Sequence, residues 1–292
     1  MTNMPVWDAA AIEKIVAGLV ASRPAYASIL GFYGPVFTAQ AKAAGDTSPP
    51  PISVDAADLH MRCKEGFALI EPASFTVDHR AAQKLLAEIC GIAAVAGERL
   101  STAGKALAAS MNEGTDMVDL FGDALADKGR IQALAEEKDV PSEMLSMLLY
   151  LALRPSIEAG VRQLSAYLED DPDTRSGCPV CGRAPILGEL DADGNQWLHC
   201  SLCWHHWPVK RMACLFCGNR GSNSLEYLYS EEEPEYRVYL CNSCRQYLKV
   251  VDTRKLKREF FPPLEQVVSL HLDIKVSEKG YAHAMGNGTT LP

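Results

Sequence analysis

Apolar residues in the first half of the chain recur at helical spacing. Ile12, Ile15, Val16, Leu19 and Val20 fall on one face, and Asp8 is placed to cap its start. Pro24 punctuates this segment, and a second helical stretch runs to about Lys42. "GDTSPPPISVDA", 45–56, reads as a linker or long loop, because three successive prolines favour extended backbone. Asp78 is positioned to cap a long helix through Leu85, Leu86, Ile89, Cys90 and Ala93. Shorter helical stretches are expected at about 115–126 and 141–153. Pro155 suits a first helical turn, after which Ile157, Val161, Leu164 and Leu168 share a face. No repeat of solenoid period occurs in this part.

The texture changes at "EDDPDTRSG", 169–177, a polar boundary containing proline and glycine. Beyond it the period shortens to strand-like alternation. "ILGELDADGNQWLHC" reads as a hairpin with its turn at Asp193-Gly194. "LEYLYSEEEPEYRVYLC" reads as a second, with Leu225, Tyr227 and Tyr229 set against Tyr236, Val238 and Leu240. A basic, helix-compatible stretch, "TRKLKREF", follows Val251. Pro262 and Pro263 then start a final amphipathic segment bearing Leu264, Val267, Val268 and Leu272.

Eight of the ten cysteines lie past that boundary, as four Cys-x-x-Cys pairs: Cys178/Cys181, Cys200/Cys203, Cys214/Cys217 and Cys241/Cys244. A two-residue spacer lets both thiolates of a tight turn face one cation. A following glycine, here Gly182 and Gly218, eases the turn. The hairpins fall within the first and third gaps between pairs. The expected arrangement therefore joins the first turn with the second and the third with the fourth, as two tetrahedral four-sulfur sites. A cross-braced pairing, first with third and second with fourth, is the alternative. Four protein sulfurs leave no open position for a catalytic water, so the sites read as structural. Zinc and mononuclear iron share this geometry, and "CPVCG" at 178–182 resembles the iron-binding turn of rubredoxins. Two metal ions per chain, iron or zinc, are the expected cofactors. With eight thiolates filling two sites, His199, His205 and His206 are superfluous as ligands and are expected at the surface or behind the ligands. Trp197, Trp204 and Trp207 are expected to shield the sites, and Cys90 to lie in a helical core. Cys63 reads as incidental, its sharper reading being a reactive thiol beside Arg62 and Lys64.

The resulting fold class is α with a small β part. A mostly helical domain, 1–170, precedes two tandem rubredoxin-like or zinc-ribbon four-cysteine modules, 177–252. A C-terminal helical segment and tail fill 253–292. The net charge of −9 sits in the helical part: residues 1–176 hold 15 basic and 24 acidic side chains, and the remainder 13 of each. A neutral ribbon on an acidic body disfavours a nucleic-acid partner. The longest apolar run, "MLSMLLYLAL", is too short to span a bilayer, and no basic-then-apolar leader opens the sequence. Cytoplasmic residence is the expectation, and there cysteines serve as ligands or free thiols more often than in disulfides. Phosphate-loop, dinucleotide and nucleophile-elbow motifs are absent from the sequence.

"CPVCGRAPILGEL", "LHCSLCWHHWPVKRMACLFCGN", "CNSCRQYLKVVD" and "DIKVSEKGYAH" together resemble the formate dehydrogenase accessory proteins, the FdhE family. The resemblance covers about 177–283, including all eight paired cysteines, Trp207, Tyr247, Leu248 and Lys249; upstream it extends only to length and helical character. It implies a maturation factor, not itself an enzyme. Its partner would be the catalytic subunit of a molybdenum- or tungsten-dependent formate dehydrogenase. The alternative is a rubredoxin-like electron carrier or thiol sensor acting during that maturation.

Overall fold

The computed structural model describes residues 7–126, 129–168, 176–210, 213–221 and 224–283. The boundary stretch 169–175, with the acidic pair Asp170–Asp171, and the tail from 284 onward lie outside the described residues. Ten α-helices are described: α1 (Ala9–Ser22), α2 (Ala27–Ala44), α3 (Ala56–Lys64), α4 (His79–Ala93), α5 (Glu98–Asn112), α6 (Met117–Ala126), α7 (Arg130–Lys138), α8 (Ser142–Leu164), α9 (Pro262–Val268) and α10 (Leu270–Ser277). Seven strands follow α8 in one sheet: β1 (Pro185–Leu190), β2 (Gln196–Cys200), β3 (His206–Val209), β4 (Leu225–Tyr229), β5 (Tyr236–Cys241), β6 (Gln246–Asp252) and β7 (Ala282–His283). The chain divides into two compact units, one of Pro5–Ser53 with Glu71–Gln163, the other chiefly of Val54–Ile70 with Leu164–Thr290.

In the helical unit both expected caps form. Asp8 accepts from the Ala11 amide, and Asp78 from the Ala81 amide with one oxygen and the Ser48 amide with the other. Ile12, Ile15 and Leu19 are buried on α1, as are Leu85, Leu86, Ile89 and Cys90 on α4. α2 packs against both α1 and α4. A Cβ at Gly34 would come within 2.8 Å of Val16 Cγ1, so glycine sets how closely α1 and α2 approach. α5 and α7, which the periodicity did not single out, complete the unit.

Pro155 does not begin a new helix. It lies inside α8, a continuous 23-residue helix. Proline lacks the N–H that would bond the carbonyl four residues back, and a side chain from α2 supplies the missing donor. Joined across Pro155, the stretch Ser142–Tyr167 is long and apolar enough to cross a membrane by length and composition alone. However, 72% of its most apolar window is buried inside the protein, as in a core helix.

The cysteine-bearing unit holds both expected hairpins, β1–β2 and β4–β5. They do not stand as separate modules. The strand order is β3-β2-β1-β6-β5-β4, with β1 and β6 paired in parallel through Gly188↔Val250 and its neighbours. At this seam a Cβ on Gly188 would lie 3.0 Å from Val250 Cγ2 and 3.3 Å from Leu248 Cδ2. The two halves repeat one another: cysteine turn, strand, strand, cysteine turn, strand. The registers repeat too, with Pro185↔Cys200 matched by Leu225↔Cys241, and His199↔His206 by Leu240↔Tyr247. Residues 54–70, which sequence reading leaves in the helical domain, pack in this unit. The Leu69 and Ile70 amides donate to the carbonyls of Pro179 and Val180 in the first cysteine turn. The C-terminal segment holds two helices rather than one, split at Ser269, whose hydroxyl donates back to the Glu265 carbonyl.

Candidate metal centres

Each cysteine turn is built alike. The amide of the first cysteine is held by a carbonyl five residues on: Cys178 by Arg183, Cys200 by His205, Cys214 by Asn219. The residue after the second cysteine is left-handed in all four turns: Gly182 (φ 74°), Trp204 (φ 57°), Gly218 (φ 71°) and Arg245 (φ 60°). The glycines adopt this conformation freely, whereas side chains there cost about 1–2 kcal/mol. Compensation is visible at Arg245. Its guanidinium lies 3.9 Å from the centre of the Tyr281 ring and also donates to the Lys279 carbonyl.

These turns bring all eight cysteines into two clusters, Cys178, Cys181, Cys200 and Cys203 in one and Cys214, Cys217, Cys241 and Cys244 in the other. The sequential pairing is the one formed; the cross-braced alternative is not. In the first cluster the sulfurs of Cys178 and Cys203 are 3.6 Å apart, those of Cys181 and Cys200 3.5 Å, and those of Cys181 and Cys203 3.6 Å. In the second, Cys214 and Cys244 are 3.8 Å apart, and Cys217 and Cys241 3.7 Å. A tetrahedron with metal–sulfur bonds of about 2.3 Å has edges of about 3.8 Å, so both clusters could hold a metal ion. The donor chemistry argues likewise. Burial and the neighbouring sulfurs push the Cys178 and Cys203 thiols well above their ordinary range. Four thiolates packed this closely repel one another, and a bound cation offsets that charge. The Leu202 and Cys203 amides point at Cys200 Sγ, and the Phe216 amide at Cys214 Sγ, ready to share the thiolate charge.

Among the described residues, both clusters contain cysteine only. His199 and His205 are buried rather than superficial. His199 Nε2 lies 2.9 Å from Glu189 Oε2, and its ring stacks on His206. Burial, followed by the neighbouring His206, lowers His205 to about 3, and burial with His199 lowers His206 to about 4. Both are therefore neutral packing groups at neutral pH. Trp204 and Trp207 are buried beside the first cluster, His205 stacking on Trp207. Trp197 is half-buried and donates to Asp191. Cys90 is buried in the helical unit, and burial raises its thiol to about 11. Cys63 is half-buried near the end of α3.

A polar group that periodicity missed sits behind the second module. Lys249, fully buried on β6, donates to Asp273 Oδ2 on α10 at 2.6 Å and to the Gln266 carbonyl on α9 at 3.1 Å. Tyr247 donates to Asp273 Oδ1 at 2.8 Å. Tyr247 and Lys249 thus bind the C-terminal helices to the sheet.

No family model matches the chain. A protein named as an FdhE homolog in Aquifex aeolicus is 31% identical over 149 residues, 50% of this chain and 52% of that protein. One in Haemophilus ducreyi is 30% identical over 155 residues, and the FdhE protein of Escherichia coli O9:H4 is 32% identical over 128. The chain spans about half the length, or less, of the curated relatives it matches. The crystal structure of the FdhE protein from Pseudomonas aeruginosa shares its fold, with a TM-score of 0.68 at 20% identity over 97% of this chain and 95% of that one. The chain thus resembles FdhE proteins in sequence over about half its length and shares the fold of one of them throughout.

Proposed function

We propose that this protein is a cytoplasmic accessory factor for a molybdenum- or tungsten-dependent formate dehydrogenase. It binds the catalytic subunit before final assembly and performs no chemistry on formate itself. The observation that carries this reading is the pair of four-cysteine clusters built into one sheet, in a chain similar to FdhE proteins. Cys178, Cys181, Cys200 and Cys203 would hold one metal ion, and Cys214, Cys217, Cys241 and Cys244 the other, as staples that hold a recognition surface in shape. Deleting the gene in its source organism and assaying formate dehydrogenase tests this. Activity should fall and return with the wild-type gene, and the tagged protein should co-elute with the catalytic subunit. Full activity in the deletion strain would sink the proposal.

A second reading, a rubredoxin-like electron carrier for the same client, draws support from the solvent exposure of Cys217. It requires iron. Protein purified without oxygen should then show thiolate-to-iron absorption that bleaches on reduction; a colourless protein with two zinc ions per chain removes this reading.

A further inference from the structure

The two clusters share one design but not one environment. All four cysteines of the first are buried, and Val180 within its first turn is wholly so. Residues 69 and 70 close over that turn by bonding its carbonyls, and Trp204 and Trp207 are buried beside the second. In the second cluster Cys217 is exposed and Cys244 only half-buried. Leu215 and Phe216, inside its first turn, are also only half-buried.

The same cluster opens a second way. Cys214 and Cys241 line a groove of about 430 Å³ on the sheet, between β4–β5 and the residues following β3. The groove floor and walls include Leu225, Leu240 and Leu248, with exposed Lys210 at its side. A divalent metal with four thiolates carries a net double negative charge, and Lys210 offsets part of it for an approaching anion.

We propose that the second cluster is an exchange centre and the first a permanent staple. Cys217 is the leaving ligand: an external thiolate forms a metal–sulfur bond as that of Cys217 breaks. The displaced sulfur takes up a proton from water. The metal keeps four sulfurs and its oxidation state, and three further such steps, at Cys214, Cys241 and Cys244, release it to the incoming thiolates. The first cluster cannot follow this route without local opening of the sheet, because no sulfur of it faces solvent.

This inference rests on both clusters holding metal, and not on the identity of the client enzyme. The test begins with metal content, expected at two ions per chain. The folded full-length protein is then treated with excess EDTA and N-ethylmaleimide, quenched at intervals, and mapped by peptide mass spectrometry. The metal of the second cluster should leave at least about tenfold faster than that of the first, since only the first cluster must wait for opening. Label should reach Cys214, Cys217, Cys241 and Cys244 before Cys178, Cys181, Cys200 and Cys203. Two metals leaving together, or first-cluster label appearing first, would overturn the proposal while leaving the metal reading intact. Fewer than two metals at the start would overturn the metal reading and the exchange centre with it.

Discussion

The side-chain amide of Gln40 on α2 donates to the carbonyl of Leu151 on α8, at 2.7 Å and in a buried setting. Leu151 stands four residues before Pro155, so its carbonyl is the one that proline leaves without a helical donor. Gln40→Leu should destabilise the protein by about 1–3 kcal/mol, the cost of a buried polar group left unpaired. Pro155→Ala restores an N–H for Leu151 and should make Gln40→Leu close to neutral. Urea denaturation of the two single variants and the double variant measures the coupling. Purely additive effects would show that the bond does not compensate for the proline.

Gly182 should resist substitution for conformational reasons alone. A Cβ there meets only Ala68 Cβ, at an ordinary 3.5 Å, so space is not the constraint; its φ of 74° is. Gly182→Ala should cost about 1–2 kcal/mol and lower the chelator concentration that strips the first cluster. An unchanged chelator midpoint would contradict this.

Replacing Cys178 and Cys181 together by serine should reduce bound metal from two ions per chain to one. The sheet joins the halves at the β1–β6 seam, so the remaining ion should be held less tightly than in wild type. Metal analysis and a competition titration with a chelator check both statements, and retention of two ions would refute the ligand assignment.

Lys249→Met should be severely destabilising, by about 3–5 kcal/mol, because Asp273 would stay buried without its cation. Adding Asp273→Leu should recover much of the loss. Thermal melts of single and double variants decide it, and equal damage in both would show that packing, not charge, dominates.

Asp78 gives the fold an acid limit. Amide bonds from Ala81 and Ser48 hold its carboxyl below the ordinary 3.8. A depressed carboxyl contributes stability that is complete above about pH 4 and lost as pH falls through its folded value. Asp78→Ala should therefore cost about 1 kcal/mol at neutral pH. The gap from wild type should narrow in more acidic solution. A constant gap from pH 7 to pH 2 would exclude the capping account.

The cysteine clusters, both hairpins and both aspartate caps were legible because each rests on local spacing. The single sheet was not. β6 is buried along nearly its whole length, so it lacks the alternation of a half-exposed strand, and Lys249 interrupts its apolar run. Its pairing with β1 links residues some sixty positions apart, for which no spacing rule exists. Pro155 misled for the opposite reason. Its local preference favours a helix start, and a distant glutamine side chain reverses that outcome.

The seam between the repeated halves joins unlike strands: β1, first of one half, lies against β6, last of the other. Such a join is head-to-tail and has no built-in end, unlike a twofold one that closes on itself. The strands left outermost, β3 and β4, are the last of the first half and the first of the second, the very combination the seam unites. Pro208 within β3 leaves one of those rims a backbone donor short, as suits an edge strand.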